Sequence, residues 1–178
     1  MDRANHYESA VAAYLRERHW CFIAVDESRR SAVGDYLVKS PDFLVYGVEG
    51  VRLLVDVKGR RFPGGAPAKP RRVWENWATR ADVEGLDRWA RRCGPGYVGM
   101  LLFAYCLADY VHLPEDTPDL VEHDGRRYLL RAVATADYRR FMRVRSPKWD
   151  TVCLPGPAFR TLVRPLATFL QSRVPATA

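Results

Sequence analysis

Residues 40–61 read Ser-Pro-Asp-Phe-Leu-Val-Tyr-Gly-Val-Glu-Gly-Val-Arg-Leu-Leu-Val-Asp-Val-Lys-Gly-Arg-Arg. Two runs rich in β-branched and aromatic residues flank the short segment 47–50, and this pattern is typical of a β-hairpin. A turn centred on Glu49 sets the register and places Leu44 opposite Leu54. The sequence therefore predicts two antiparallel strands joined by a tight connection.

Two carboxylates and a lysine share one face of this hairpin. The same register places Asp42 opposite Asp56, and Lys58 leaves its strand on the side of Asp56 because the two are two residues apart. A slip of one residue would turn Asp42 into the core, so the pattern favours the convergent arrangement. The opposite face is a predicted core face, composed of Phe43, Val45, Leu53, Val55 and Val57.

The facing carboxylates call for a positive charge, because like charges directly opposite each other destabilise an antiparallel pair. Lys58 is one candidate for that charge, and a divalent cation that prefers oxygen ligands is the other. The alternative is an exposed Asp42 at a strand start, with Asp56 and Lys58 paired at a solvated edge.

The spacing of these residues resembles the signature of the PD-(D/E)XK nuclease superfamily, which includes restriction endonucleases, Holliday-junction resolvases and many repair nucleases. Pro41-Asp42 is followed, after thirteen residues, by Asp56-Val57-Lys58. The pattern is split across a predicted hairpin and a helix precedes it, as in that superfamily. The resemblance covers about the first 110 residues.

The predicted first helix contributes a further carboxylate. Asn5 is the expected N-cap and the helix runs to about Arg18. Glu8 projects close to the apolar stripe that includes Val11 and Leu15. The alternative is a capping box, Asn5-x-x-Glu8, in which Glu8 reaches back to the helix start. The resemblance favours the first interpretation, because many superfamily members carry a metal-binding Glu on this helix.

The resemblance implies a metal-dependent endonuclease that hydrolyses phosphodiester bonds, and DNA is the expected substrate. Mg²⁺ or Mn²⁺ would be held by Asp42 and Asp56, with the Val57 carbonyl and Glu8 as further ligands. Lys58 would orient the attacking water or help to deprotonate it. The alternative function is a catalytically silent nuclease-like fold that binds nucleic acid or a partner protein.

The fold class expected is α/β, with a restriction-endonuclease-like core in a single domain. The core, about residues 5–108, has the order helix, three-strand meander, helix, strand, and the crossover helix predicts a parallel pair within a mixed sheet. A C-terminal α+β extension spans about 109–171, and a disordered tail is expected at 172–178.

The later elements follow from periodicity and end signals. Thr79 or Asp82 begins a second helix that ends near Cys93-Gly94, and residues 99–106 form a buried strand. In the extension we expect a loop, a strand, a short helix, a second strand and a last helix kinked at Pro165, at residues 114–124, 127–133, 136–143, 151–154 and 157–171 respectively.

The charge balance suits a polyanionic partner, because the chain carries 28 Lys and Arg against 21 Asp and Glu, a net charge of +7. The arginines expected to contact nucleic acid lie within the polar connection at residues 26–39 or on either side of the Pro- and Gly-rich loop at residues 62–70; they are Arg29, Arg30, Arg60, Arg61, Arg71 and Arg72. The alternative for each is an ordinary solvated arginine.

Several classes of protein do not fit. The four cysteines show no C-x-x-C pair, which argues against a zinc site. With no signal peptide and no apolar run long enough to span a bilayer, we expect a cytoplasmic protein without membrane contact. A homodimer is left open as the oligomeric state.

Overall fold

The computed structural model describes residues 5–25, 31–33, 36–66 and 68–171. The predicted contacts Arg29 and Arg30 and the tail 172–178 lie outside these ranges. The helices are α1 (Asn5–Glu17), α2 (Arg80–Cys93), α3 (Thr135–Phe141), α4 (Gly156–Leu162) and α5 (Leu166–Gln171). None of the helices in the described ranges is long and apolar enough to cross a membrane.

The strands, in chain order, are β1 (Cys21–Ala24), β2 (Ser31–Val33), β3 (Tyr36–Val38), β4 (Phe43–Tyr46), β5 (Arg52–Phe62), β6 (Gly64–Ala66), β7 (Lys69–Arg71), β8 (Ala78–Thr79), β9 (Tyr97–Leu107), β10 (Leu120–His123), β11 (Arg126–Ala134), β12 (Arg143–Ser146) and β13 (Thr151–Cys153). A six-stranded sheet has the order β1-β4-β5-β9-β11-β10. Its strands pair antiparallel except β5 and β9, which are parallel and joined through α2. The predicted mixed sheet is therefore confirmed.

The hairpin formed by β4 and β5 has the predicted register. Leu44 is opposite Leu54, and a short 3₁₀ turn at Val48–Gly50 joins the strands. Glu49 lies at the centre of this turn with a φ of 53°, a left-handed conformation that is uncommon for residues other than Gly. The alternation of side chains and the turn position agree, so the local sequence was sufficient to predict this element.

The sheet is covered on both faces, which gives the chain two hydrophobic cores. On one face α1 and α5 pack on the predicted core residues of β4 and β5 and on Met100, Leu102 and Ala104. On the other face α2, α3 and α4 pack on Leu54, Leu101, Phe103 and Tyr105. The second face of β5 is therefore also buried, and the alternative in which Asp56 and Lys58 pair at a solvated edge is wrong.

The extension adds to the same sheet. Strand β11 pairs with β9, and β10 continues from β11. The residues of β10 were expected to belong to a loop, because the run is short and follows a segment rich in Pro and acidic residues. The short helix expected at residues 136–143 ends earlier than predicted. Helix α3 stops at Phe141, and Arg143 begins strand β12.

The predicted last helix is two helices. Helix α4 ends at Leu162 and α5 begins at Leu166. Between them Arg164 forms an isolated β-bridge with Ala132 of β11, so the chain is extended immediately before Pro165. A residue before Pro avoids the α-helical region, and Pro165 breaks this helix rather than kinking it.

Candidate active site

A buried ion pair lies at the middle of β5. Asp56 and Lys58 leave the strand toward α2, as the spacing predicts, and only 2% and 9% of their surfaces are exposed. Lys58 Nζ lies 2.5 Å from Asp56 Oδ2. The contact is ionic, and Asp56 Oδ2 accepts no hydrogen bond.

A second carboxylate, from Asp82, reaches the same lysine. Asp82 lies in the first turn of α2, with Oδ2 2.8 Å from Lys58 Nζ. It also forms a capping box with Thr79, whose backbone N–H donates to Asp82 Oδ2 at 2.9 Å. Burial opposes ionisation of Asp82, but the ammonium groups of Lys58 and Lys39 hold its pKa down at about 2. Asp82 is therefore ionised, and it links the helix start to β5.

A second lysine completes the group. Lys39 Nζ lies 3.0 Å from Asp56 Oδ1 and 3.5 Å from Asp82 Oδ1. Partial burial lowers the pKa of Lys39, but the two carboxylates outweigh it and raise the pKa above its usual value. Lys39, Asp56, Lys58 and Asp82 form what we call the charge cluster, with two positive and two negative charges in contact. Like charges are separated by unlike ones, so the cluster is electrostatically balanced.

Asp42 lies beside this cluster where the β4–β5 ladder ends. The strand pairing stops at Phe43 opposite Val55, and the Asp42 N–H donates to Val55 O at 2.8 Å. The Asp42 carboxylate accepts a hydrogen bond from the Val57 N–H at 2.5 Å. A side-chain oxygen thus replaces the next backbone acceptor of the ladder, and it brings Asp42 against the peptide that follows Asp56.

Glu8 lies in the first turn of α1 and is half-buried. Its neighbour Tyr7 covers Gly59 so closely that a Cβ on Gly59 would lie 2.3 Å from the Tyr7 ring. The first turn of α1 therefore crosses β5 next to Lys58, on the face of the sheet opposite α2. The side chain of Asn5 lies outside the described part of the chain, so the capping-box alternative stays open. Glu8 remains a predicted site residue.

The donor set favours a cation held by few protein ligands. Within the described ranges no group of three or more His, Cys, Asp or Glu side chains is placed to hold a metal ion. Both oxygens of Asp56 are buried against lysine ammonium groups, so a hard cation bound by Asp56 would take the place of one of these charges. Mg²⁺ usually keeps several waters and needs only one or two carboxylates. The residues present fit Mg²⁺ or Mn²⁺ bound in this way.

The predicted arginines separate into two groups. Arg61, Arg71 and Arg72 are exposed, and Arg71 forms a salt bridge of 2.9 Å with Glu75. Arg60 is turned inward: its guanidinium donates to the backbone carbonyl of Trp77 and lies 3.9 Å from the centre of the Trp77 ring. Arg60 is therefore already engaged within the protein.

The contributions of Lys39 and Asp82 were not predicted from the sequence. Asp82 was considered only as a helix start, and Thr79-x-x-Asp82 carries the capping-box pattern that explains it locally. Lys39 lies at the end of a segment expected to be a polar connection. The one signal available was its position three residues before Asp42.

The structure is similar to that of Hjc, a Holliday junction resolvase from the archaeal hyperthermophile Archaeoglobus fulgidus. The similarity covers 92% of this chain and 95% of that one, with a TM-score of 0.51. The chain has a restriction-endonuclease-like fold. At 13% sequence identity the likeness concerns the fold alone. No protein-family model matches the chain, and no curated protein matches it in sequence.

Proposed function

We propose that this protein is a metal-dependent nuclease of PD-(D/E)XK type that hydrolyses phosphodiester bonds in DNA. One observation supports the proposal: Asp42, Asp56 and Lys58 occupy the signature spacing, the Asp42 carboxylate accepts from the Val57 N–H, and Asp56 contacts Lys58. They do so within a fold similar to that of a Holliday junction resolvase. A net charge of +7 supports a polyanionic substrate. A homodimer stays a prediction.

The metal ligands that we propose are Asp42 and Asp56, with the Val57 carbonyl. Glu8, which starts from the face of the sheet opposite α2, stays a predicted further ligand. The bound cation would supply an activated water and stabilise charge on the phosphate. The Val57 N–H fixes the Asp42 carboxylate beside the peptide that follows Asp56, so the first two ligands are oriented before any ion arrives. Such preorganisation lowers the cost of assembling the site.

Lys58 is the proposed catalytic cation of the protein itself. Its ammonium is held by Asp56 and Asp82, which restricts a long and otherwise flexible side chain to one position. From this position it would neutralise the scissile phosphate and orient the attacking water. Lys39 supplies a second positive charge to the same carboxylates, so Asp56 and Asp82 keep a counter-ion when the Lys58 ammonium also interacts with the substrate phosphate.

The test is a cleavage assay on linear, nicked and four-way branched DNA, with Mg²⁺, Mn²⁺ or EDTA. We expect cleavage with either metal and none in EDTA. Asp56→Asn, which preserves shape and removes one charge, should not cut. Calorimetric titration should show Mn²⁺ binding to the wild type and weaker binding to Asp56→Asn. Equal heats for the two proteins would eliminate the metal site.

A second candidate function is a silent nuclease-like fold that binds nucleic acid. The observation in its favour is that Lys39 and Lys58 together pair both oxygens of Asp56. A closed, balanced charge cluster of this kind can serve stability alone. Tight DNA binding by purified wild type, without cleavage of any substrate in either metal, would select this function over the enzyme.

A further inference from the structure

A pocket of about 450 Å³ opens on the face of the sheet that carries α2, away from the charge cluster. Segment 71–77 forms one wall, and the connection from β13 to α4 forms the other, with Leu154 and Phe159 in its lining. The charged residues at this pocket are Arg71, Arg72, Arg145, Arg160 and Glu75. Four guanidinium groups therefore surround a single carboxylate.

The walls are held rigidly together by buried hydrogen bonds. Asn76 bridges them: its Nδ2 donates to Leu154 O at 3.2 Å, and the Leu154 N–H donates to Asn76 Oδ1 at 2.9 Å. Tyr105 Oη donates to Glu75 O at 3.0 Å, and Tyr138 Oη donates to Asn76 O at 2.7 Å. The pocket is consequently a formed feature of the fold, and a ligand would not have to organise it.

The positive charge of the pocket is only partly balanced by the carboxylate in its own lining. Glu75 accepts from Arg71 at 2.9 Å and from Trp77 Nε1 at 3.3 Å, so its negative charge is already used. Arg72 and Arg160 take part in no ion pair within the described ranges. Both are exposed and border the opening. An anion such as phosphate would satisfy these two arginines.

An aromatic wall adds a preference for a planar group. Trp74 lines the pocket and stacks on Phe62 of β5, with ring centres 3.6 Å apart and planes 2° from parallel. Trp77 also lines it, with the Arg145 guanidinium 5.1 Å from its ring centre. Nucleobases stack on aromatic side chains and on arginine guanidinium planes. A ligand that carries both a phosphate and a base is a nucleotide.

The pocket and the charge cluster lie along one face of one strand. Lys58, Arg60 and Phe62 alternate on the α2 side of β5, the first in the charge cluster, the second against Trp77 and the third against Trp74. Four strand residues span about 13 Å at about 3.3 Å per residue. A nucleic-acid strand bound at Lys58 would therefore bring a nucleotide a few positions away to the pocket.

We propose that this pocket binds the base and a phosphate of one unpaired nucleotide in the substrate strand. Trp74 packs against the base, and Arg72 and Arg160 bind the phosphate. This proposal rests on the proposed function, because a nuclease binds a substrate strand. It adds that the substrate carries an unpaired nucleotide near the cleaved bond, as flaps, overhangs and junctions do.

The experiment uses the full chain in EDTA, so that no cleavage interferes. The probe is a DNA hairpin with one unpaired nucleotide, which carries either 2-aminopurine or an abasic sugar at that position. We expect quenching of 2-aminopurine by the wild type, and affinity at least tenfold lower for the abasic probe. Arg72→Ala/Arg160→Ala should lose at least tenfold for the 2-aminopurine probe. The matched control Arg91→Ala/Arg92→Ala removes two exposed arginines from the end of α2 and should lose less than threefold.

Two results would overturn the pocket: equal losses in the two double variants, or equal affinity for the abasic probe. Melting temperatures of both double variants establish that each is folded. The pocket and the proposed function fail separately. A protein that binds as expected but never cuts keeps the pocket, and one that cuts but binds both probes equally loses only the pocket.

Discussion

Lys58 Nζ of β5 and Asp82 Oδ2 of α2 are 2.8 Å apart, and this contact joins the second strand of the hairpin to the start of the crossover helix. About nine-tenths of each side chain is buried. Asp82 therefore has two tasks: it caps α2 through Thr79 and it holds the lysine of the candidate active site. The stability of the helix start and the position of Lys58 are coupled through one carboxylate.

Lys58→Met should abolish cleavage. Methionine keeps much of the length of the lysine stem, so the loss reports on the charge. Removing one positioned charge that acts on the transition state typically costs about 100-fold or more in rate. Single-turnover cleavage at saturating protein would measure the effect. DNA affinity should change far less, because the exposed arginines remain; cleavage at the wild-type rate would remove Lys58 from the site.

Asp82 gives the protein a predictable dependence on acid. Its pKa is depressed from an ordinary value near 4 to about 2, so its stabilising contribution is complete above about pH 4 and is lost as the pH falls through about 2. A shift of this size corresponds to about 2 kcal/mol. Urea unfolding of wild type and Asp82→Asn should differ by about that much more at pH 5 than at pH 2. A difference that does not change with pH would contradict the ion pair.

Arg60 and Arg61 are neighbours with opposite roles. Arg60→Ala should lower the free energy of unfolding by about 2 kcal/mol, because its charged hydrogen bond to Trp77 and its stacking on that ring are lost. Arg61→Ala should leave stability unchanged, since Arg61 is exposed. If Arg61 contacts a phosphate, DNA binding by Arg61→Ala should release about one ion fewer, which lowers the slope of log affinity against log salt concentration by about one. Urea unfolding and a salt series on both variants separate the two roles, and equal destabilisation would refute the assignment.

Gly59 permits the close approach of α1. A Cβ here would meet the Tyr7 ring at 2.3 Å, so Gly59→Ala should destabilise the protein by about 1–3 kcal/mol. Gly64→Ala is the control, because its Cβ would meet its nearest neighbour at an ordinary 3.6 Å. Thermal unfolding should show a lower midpoint for the first variant only. The double variant with Tyr7→Ala should recover part of the loss, and no recovery would point to a different cause.

The hairpin and its register could be predicted from residues 40–61 alone. Alternation along β4 and β5 is a local property, and the turn is short enough that its centre sets the pairing. The start of α2 at Thr79 and its end near Gly94 were predictable for the same reason, because caps act within a few residues. The parallel pairing of β5 with β9 followed from the crossover rule.

The membership of the charge cluster was decided by tertiary structure. In the sequence Asp82 has the position of a capping residue, and only the packing of α2 across β5 brings its Oδ2, the same oxygen that accepts from Thr79, to Lys58. Arg60 reads as one of two adjacent exposed arginines. Strand alternation turns Arg60 to the covered face and Arg61 outward, and segment 74–77 then supplies the ring and carbonyl that hold Arg60.

The sequence by itself thus determined the hairpin, its register, the bounds of α2 and the signature residues, all of which depend on neighbours close in the chain. Tertiary structure decided which charges meet, because the desolvation that makes an ion pair necessary arises only when helices cover both faces of the sheet. Asp56 and Lys58 would be ordinary surface residues on a half-exposed hairpin. Buried under α2, they require Lys39 and Asp82 as partners.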